Sequence, residues 1–198
     1  MKKNFSQYLD LPHLEVKWEK GDQKMLQHLS VAKPEELTKQ YDGSYLGDIT
    51  YRRFAASQPY VDWVNTTIPE LQGIPTMMGW QYHTNSTNNP NGAQMIVHSD
   101  GIRGIHIISY CFSSGGTDVT TSWYQEHGFP VHRTPLSWCK DYSRLDELES
   151  IVFEENKWAI FRSDVLHNVK IIREPRECFT VGFNNEDVYQ AIKAKYGV

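Results

Sequence analysis

The texture of this chain changes abruptly across residues 84–92, and that change limits the possible fold more than any other feature. The segment reads TNSTNNPNG, a cluster of Asn, Ser, Thr, Gly and Pro that favours turns over helix or strand. Beyond it the apolar runs are short and separated by glycine and polar clusters. Residues 93–98, 105–112, 119–124, 157–161, 167–172 and 178–183 each have the length and composition of a strand. Before it the pattern favours helices. Residues 23–30 and 34–41 suit short ones, the second begun by Pro34 with Glu35 and Glu36 in its first turn, where a fixed φ and acidic side chains match a helix N-terminus. In residues 57–71, Tyr60, Val61, Trp63, Val64, Ile68 and Leu71 fall mostly on one helical face. Pro59 is compatible with the first turn there, and Pro69 interrupts the last. Residues 184–196 read as a closing helix. The expectation is an α+β chain in which helices come first and a many-stranded β region then closes on itself as a sandwich or barrel.

No internal repeat or low-complexity linker divides the sequence, so residues 1–198 are read as a single domain. It comprises a mainly helical part (1–90), a β core (91–184) and a C-terminal helix (185–198). A hydrophobic content of 39% with 22% charged residues is that of a chain that folds rather than one that stays disordered. The net charge of −4 and the isoelectric point near 6.1 provide no basic footprint for nucleic acid or an anionic membrane surface. Cys111, Cys139 and Cys178 are odd in number and form no CxxC, so no disulfide framework is implied and a reducing compartment is expected. The two lysines near the start are not followed by an apolar run, unlike a signal peptide. No apolar stretch is long enough to cross a bilayer. These features together predict a soluble, cytoplasmic protein without membrane or nucleic-acid partners.

The residues that carry chemistry lie in the β region. VHSDG places His98 and Asp100 two positions apart at a strand end. In extended backbone, positions i and i+2 point the same way, so an imidazole and a carboxylate can share one ion. FRSDVLHNV offers His167 as a third ligand, beyond a turn-like Ser163-Asp164. Two histidines and a carboxylate on one face of an octahedron leave three positions open, the donor set of non-haem Fe(II) oxygenases. An H-x-D pair is weak by itself in a chain with eight histidines.

The context strengthens it. VHSDG, then LHNVKIIREPRECFTVGF with Arg176 nine positions after His167, resembles the 2-oxoglutarate/Fe(II) dioxygenase superfamily, in particular its prolyl-hydroxylase-like branch. IHIISYCF resembles the family's second barrel strand, TTSWYQ its third, and NKWAIFRSDVLHNV the strand and turn that deliver the distal histidine. The matched elements occur in family order over about half of the chain. The resemblance implies a double-stranded β-helix, a cupin-like jelly roll, with the N-terminal helices packed outside one sheet. It implies Fe(II) on His98, Asp100 and His167. It also implies 2-oxoglutarate as co-substrate, with Arg176 holding its far carboxylate through a planar, bidentate fork. Thr180, on the same strand face, and Tyr110 are further co-substrate candidates, and Arg173 competes with Arg176. The implied reaction uses O2, converts 2-oxoglutarate to succinate and CO2, and hydroxylates a substrate C–H bond.

Other residues have plainer readings. His106 is expected as a core or supporting histidine. His83, His127 and His132 are expected in loops, and Asp164 as a turn former. Trp80, Trp123 and Tyr124 are expected in the core or along a pocket. Residues 1–90 and the insert 126–150 should frame the barrel mouth, which favours a peptide side chain or a small amino-acid-like substrate. Two other readings remain open: a cupin-type metalloenzyme using another metal without 2-oxoglutarate, and a non-enzymatic β-helix binding module. Succinate formation separates them from the dioxygenase.

Overall fold

The computed structural model describes residues 4–14, 49–85, 90–100, 105–127, 136–139 and 142–198. Strands β1 (Ser6–Leu9), β2 (Ile49–Ala55) and β3 (Thr76–Asn85) precede β4 (Val97–Asp100), β5 (His106–Ser114) and β6 (Thr120–Glu126). Then come β7 (Leu136–Cys139), β8 (Leu145–Ile151), β9 (Lys157–Arg162), β10 (Leu166–Lys170) and β11 (Arg176–Phe183). They form two antiparallel sheets, ordered β1-β9-β5-β11-β3-β2 and β7-β4-β10-β6-β8. From β3 onward, core strands alternate between the sheets except that β6 and β8 pair with each other in the smaller one, and β7 is an additional strand outside β4. That alternation, with β11 between β3 and β5 and β10 between β4 and β6, makes the architecture a double-stranded β-helix.

Burial in the larger sheet is inverted relative to a sheet with an apolar inside and a wet outside. Its outer face carries Trp80, Ile108, Tyr110, Trp158, Ile160, Phe179, Val181 and Phe183, the main apolar cluster. Helices α1 (Gln58–Thr67) and α2 (Glu186–Tyr196) cover this face. Tyr60 of α1 packs edge-on to Trp80 at 5.1 Å, and Trp63 stacks on Trp158 at 5.8 Å. Helix α2 starts at Asn185, whose side chain accepts from the Val188 N–H, and carries Glu186 and Asp187 in its first turn. Both features satisfy orphan donors and the dipole at a helix N-terminus. Tyr189 and Ile192 are its buried anchors. The inner face of the same sheet is built from His83, Gln81 and Gly79 of β3, Ser109 and Cys111 of β5, and Arg176, Cys178 and Thr180 of β11, as the register requires.

The described part of residues 1–90 holds three strands, one α-helix and a 3-10 turn at Pro69–Leu71. Strand β3 escaped notice because its apolar residues Met78, Trp80 and Tyr82 face helix-covered surface while polar Gln81 and His83 face the barrel. The helix candidates at 23–30 and 34–41 lie outside the described residues. The insert 126–150 contributes β7 and a barrel strand, β8, whose sequence LDELESI is largely exposed and so lacked an apolar signal. Among the described residues, no helix is long and apolar enough to cross a membrane.

Two glycines fix approaches that position the site. Gly92 has φ +84°, and a Cβ there would stand 2.7 Å from the Ile171 backbone. The pairing Ala93↔Ile172 follows directly and aligns the approach to β4 with the end of β10. Gly115, at φ +87° in the β5–β6 connection, would put a Cβ 2.9 Å from the Arg176 Cβ. Its carbonyl accepts from the N–H groups of both Arg173 and Glu174, just before β11 begins. Only glycine adopts these angles without strain and admits such close backbone contact.

Candidate metal centre

Strands β4 and β10 are neighbours, and His98 and His167 are register partners across them. Their rings lie 4.6 Å apart between centroids. Asp100, two residues on from His98, returns to the same side, with its Oδ1 3.7 Å from His98 Nε2. One potential ligand atom from each of His98, Asp100 and His167 lies within 4.8 Å of the others, so the three form a group able to hold a metal ion.

The histidine tautomers follow from the hydrogen bonds. His98 Nδ1 is 2.7 Å from the Ile96 carbonyl oxygen, and His167 Nδ1 is 2.8 Å from that of Val165. A carbonyl oxygen only accepts, so each Nδ1 carries the proton and each Nε2 keeps its lone pair. Both rings are thus anchored by the backbone two residues earlier and offer Nε2 as a metal donor, the outer-partner arrangement usual for ligating histidines. Burial, followed by the proximity of His98, holds the His167 pKa well below the ordinary imidazole range. A ring that is already neutral need not release a proton to bind a cation. The donor set of two imidazoles and one carboxylate suits Fe(II) and leaves further coordination positions for other ligands.

Arg176 opens β11 on the inner face of the other sheet, 6% exposed. Among the described residues, no carboxylate or carbonyl meets its guanidinium in an ion pair or hydrogen bond. A buried cation without a counter-charge is costly unless a ligand supplies one. His83 is the register partner of Arg176 and is buried in the interior. Its pKa is pushed far down, chiefly by burial and then by the neighbouring Arg176 charge. Phe161 of β9, in the same sheet as Arg176, brings its ring to 6.3 Å from the His167 imidazole of the other sheet, so the guanidinium and the triad border one interior.

Thr180 shares that inner face and is buried, its hydroxyl donating to the Gly79 carbonyl at 3.2 Å. The hydroxyl oxygen remains able to accept. Tyr110 is not brought to the site. It lies opposite Phe179, whereas its neighbour Ser109 lies opposite Thr180, so strand parity turns Tyr110 outward. There it packs on Trp158 and Phe112, with its hydroxyl 3.1 Å from His13 Nδ1. The co-substrate expectation for Tyr110 is therefore corrected by one position, and Ser109 takes the inward place. Arg173 lies at the surface beside Asp118 at 3.4 Å.

Of the remaining histidines, His106 faces outward and stacks on Tyr189 at 4.2 Å, a buried core position away from the metal ligands. His83, expected in a loop, is the interior residue that sequence reasoning missed. Its signal was the alternation Gly79, Gln81, His83 along β3. Trp123 and Phe161 wall the interior near His167, the latter with its ring 6.3 Å from that imidazole. Asp164 holds Arg162 bidentately in the turn before β10, as a turn former rather than a ligand. His132 lies outside the described residues.

No family model matches the chain, and a search of curated proteins finds none similar to it. Among solved structures, a Pseudomonas putida prolyl-4-hydroxylase is 12% identical, with 90% of each chain covered and a TM-score of 0.40. A cupin-like protein from Thermotoga maritima is 10% identical, with 71% of this chain and 74% of that one covered and a TM-score of 0.32. These likenesses are distant, and the double-stranded β-helix rests on the strand order itself.

Proposed function

We propose that this protein is an Fe(II)- and 2-oxoglutarate-dependent dioxygenase that hydroxylates a C–H bond of a peptide side chain or a small amino-acid-like substrate. His98, Asp100 and His167 would hold the iron. Arg176, with Thr180 and Ser109 beside it on the inner face, would bind the far carboxylate of 2-oxoglutarate. The iron, when bound, supplies the site at which O2 is reduced at the expense of 2-oxoglutarate, giving succinate and CO2. The protein's own residues bind and orient the co-substrate and keep the interior dry.

The observation that carries this reading is the buried Arg176, without an acidic partner among the described residues, on the sheet whose Phe161 meets His167 of the triad. Charge balance favours a dianion. A divalent ion and one guanidinium, less the Asp100 carboxylate, leave two positive charges in a low-dielectric space. A dicarboxylate cancels both, with one end at the metal and the other at the arginine fork. A metal barrel that uses no 2-oxoglutarate has no such need for a buried arginine.

The test is succinate formation by purified protein given Fe(II), 2-oxoglutarate and O2, with His167→Ala as control. Succinate that depends on Fe(II) and is lost in the variant supports the proposal. Tight Fe(II) binding without succinate, or with another metal preferred, would indicate a cupin-type enzyme. Absence of metal binding would indicate a binding module.

A further inference from the structure

Cys111 and Cys178 are direct register partners on β5 and β11. Both are buried, yet neither belongs to the apolar clusters among the described residues. Their side chains turn to the inner face, where Arg176 and Thr180 flank Cys178 along the strand and Ser109 lies next to Cys111 on β5. Cys111 and Ser109 are thus the inner-face neighbours of Cys178 and Thr180 across the β5–β11 ladder. Directly opposed residues of an antiparallel pair have Cα atoms about 4.5–5.5 Å apart, inside the range of about 4.4–6.8 Å that a disulfide spans. A register irregularity between Glu177 and Cys178 relaxes the ladder where the sulfurs would have to close up.

We propose that Cys111 and Cys178 form a reversible dithiol–disulfide couple inside the barrel, a site of oxidation by peroxide with Cys178 as the attacking thiol. The order of attack follows from the environment. Arg176 stands two residues from Cys178 on the same inner face of β11, and a cation beside a thiol favours its thiolate. Cys111, on the neighbouring strand, has no such cation beside it along β5. The thiolate is the nucleophile. Its sulfur attacks one peroxide oxygen, the O–O bond breaks, and the departing hydroxide takes up a proton to leave as water. Cys178 is then a sulfenic acid. The Cys111 sulfur attacks it, the S–O bond breaks, and the Cys111 proton leaves with the hydroxyl as a second water. Two thiols are oxidised and one peroxide is reduced.

Cys139 provides the internal control. It is buried on β7 among Val97, Tyr124 and Leu166, in the smaller sheet and away from the pair. This proposal is independent of the reaction assigned to the metal centre, because it is read from mass alone. The full chain, with chelator present to suppress metal-driven oxidation, is treated with hydrogen peroxide, and thiols are then blocked and mapped under non-reducing conditions. The expected result is loss of two hydrogens per chain, a peptide cross-link between Cys111 and Cys178, and full reversal by dithiothreitol. Cys139→Ser should form the same cross-link, and Cys178→Ser should form none. In Cys111→Ser, Cys178 should stop at sulfenic acid, trapped by a dimedone-type reagent. Oxidation confined to Cys139, cross-links only between chains, or two thiols still alkylatable after peroxide treatment would each overturn the proposal.

Discussion

Replacing Arg176 by glutamine removes a guanidinium that is 6% exposed and has no counter-ion among the described residues. Two consequences of opposite sign follow. In the ligand-free protein the substitution relieves an uncompensated buried charge, so stability should hold or rise; an arginine that braces the fold through an ion pair would show the reverse on removal. In the presence of Fe(II) and 2-oxoglutarate, the far carboxylate loses two charge-assisted hydrogen bonds that an amide cannot replace. Leaving one member of a buried pair alone costs on the order of 3–5 kcal/mol. At about 1.4 kcal/mol per decade, that weakens 2-oxoglutarate binding by roughly two to four orders of magnitude. Fe(II) affinity should change little, because Arg176 stands on the sheet opposite His98 and His167. The assay is anaerobic titration of 2-oxoglutarate into Fe(II)-loaded wild type and variant, with urea denaturation of both metal-free proteins. Coincident titration curves would refute the co-substrate assignment. Arg173 would offer no rescue, since it lies at the surface beside Asp118.

Asp100→Ala removes the anionic ligand while β4 keeps its backbone pairing, so calorimetry should show Fe(II) binding weakened by at least the roughly 10–100-fold that loss of an outer partner causes, with an unchanged circular dichroism spectrum. Tyr110→Phe should cost about 1 kcal/mol of stability through loss of the hydroxyl contact to His13, yet leave 2-oxoglutarate affinity at the wild-type value; a large loss of affinity would mean that Tyr110 reaches the interior. His83 and His106 are both held below their ordinary value of 6.5 chiefly by burial. The unfolded chain therefore takes up protons first as pH falls, and the urea midpoint of the metal-free protein should decline below about pH 6.5 and level off below the folded-state values. A midpoint that does not move between about pH 7 and pH 5 would contradict that burial.

Much of the β-helix was legible in the sequence because its strands carry bulky apolar residues between glycine-rich turns. The segments 105–112, 119–124, 157–161 and 178–183 each lie within two residues of a strand at both ends. His98 and Asp100 were legible as a pair because extended backbone turns positions two apart to one side, whereas weight for the full triad with His167 came from the family resemblance. What the pattern hid has a common cause. In IHIISYCF nearly every position is apolar or small, so the sequence cannot say which parity faces inward, and Tyr110 and Ser109 exchanged places. In β3 the polar face is the interior one, and in β8 both faces are wet, so neither strand announced itself. His83 was lost with β3.

The same inversion explains why the interior can be altered without dismantling the fold. Trp80, Tyr110, Trp158, Phe179 and Phe183, with the buried residues of α1 and α2, form one apolar layer outside the larger sheet. At roughly 25 cal/mol per Å² of apolar surface removed from water, this layer is where stability accumulates. The inner face contributes polar groups instead: Arg176, His83, Thr180 and the paired thiols of Cys111 and Cys178. Keeping these in a buried space costs free energy that the outer layer offsets. Part of the interior is apolar, around Trp123 and Phe161, so the polar groups gathered on β3, β5 and β11 stand apart from it, where the proposed metal and dianion would account for them. Arg176→Gln and Cys178→Ser therefore act on the inner face of the larger sheet and Asp100→Ala on the sheet opposite, all away from the outer apolar layer.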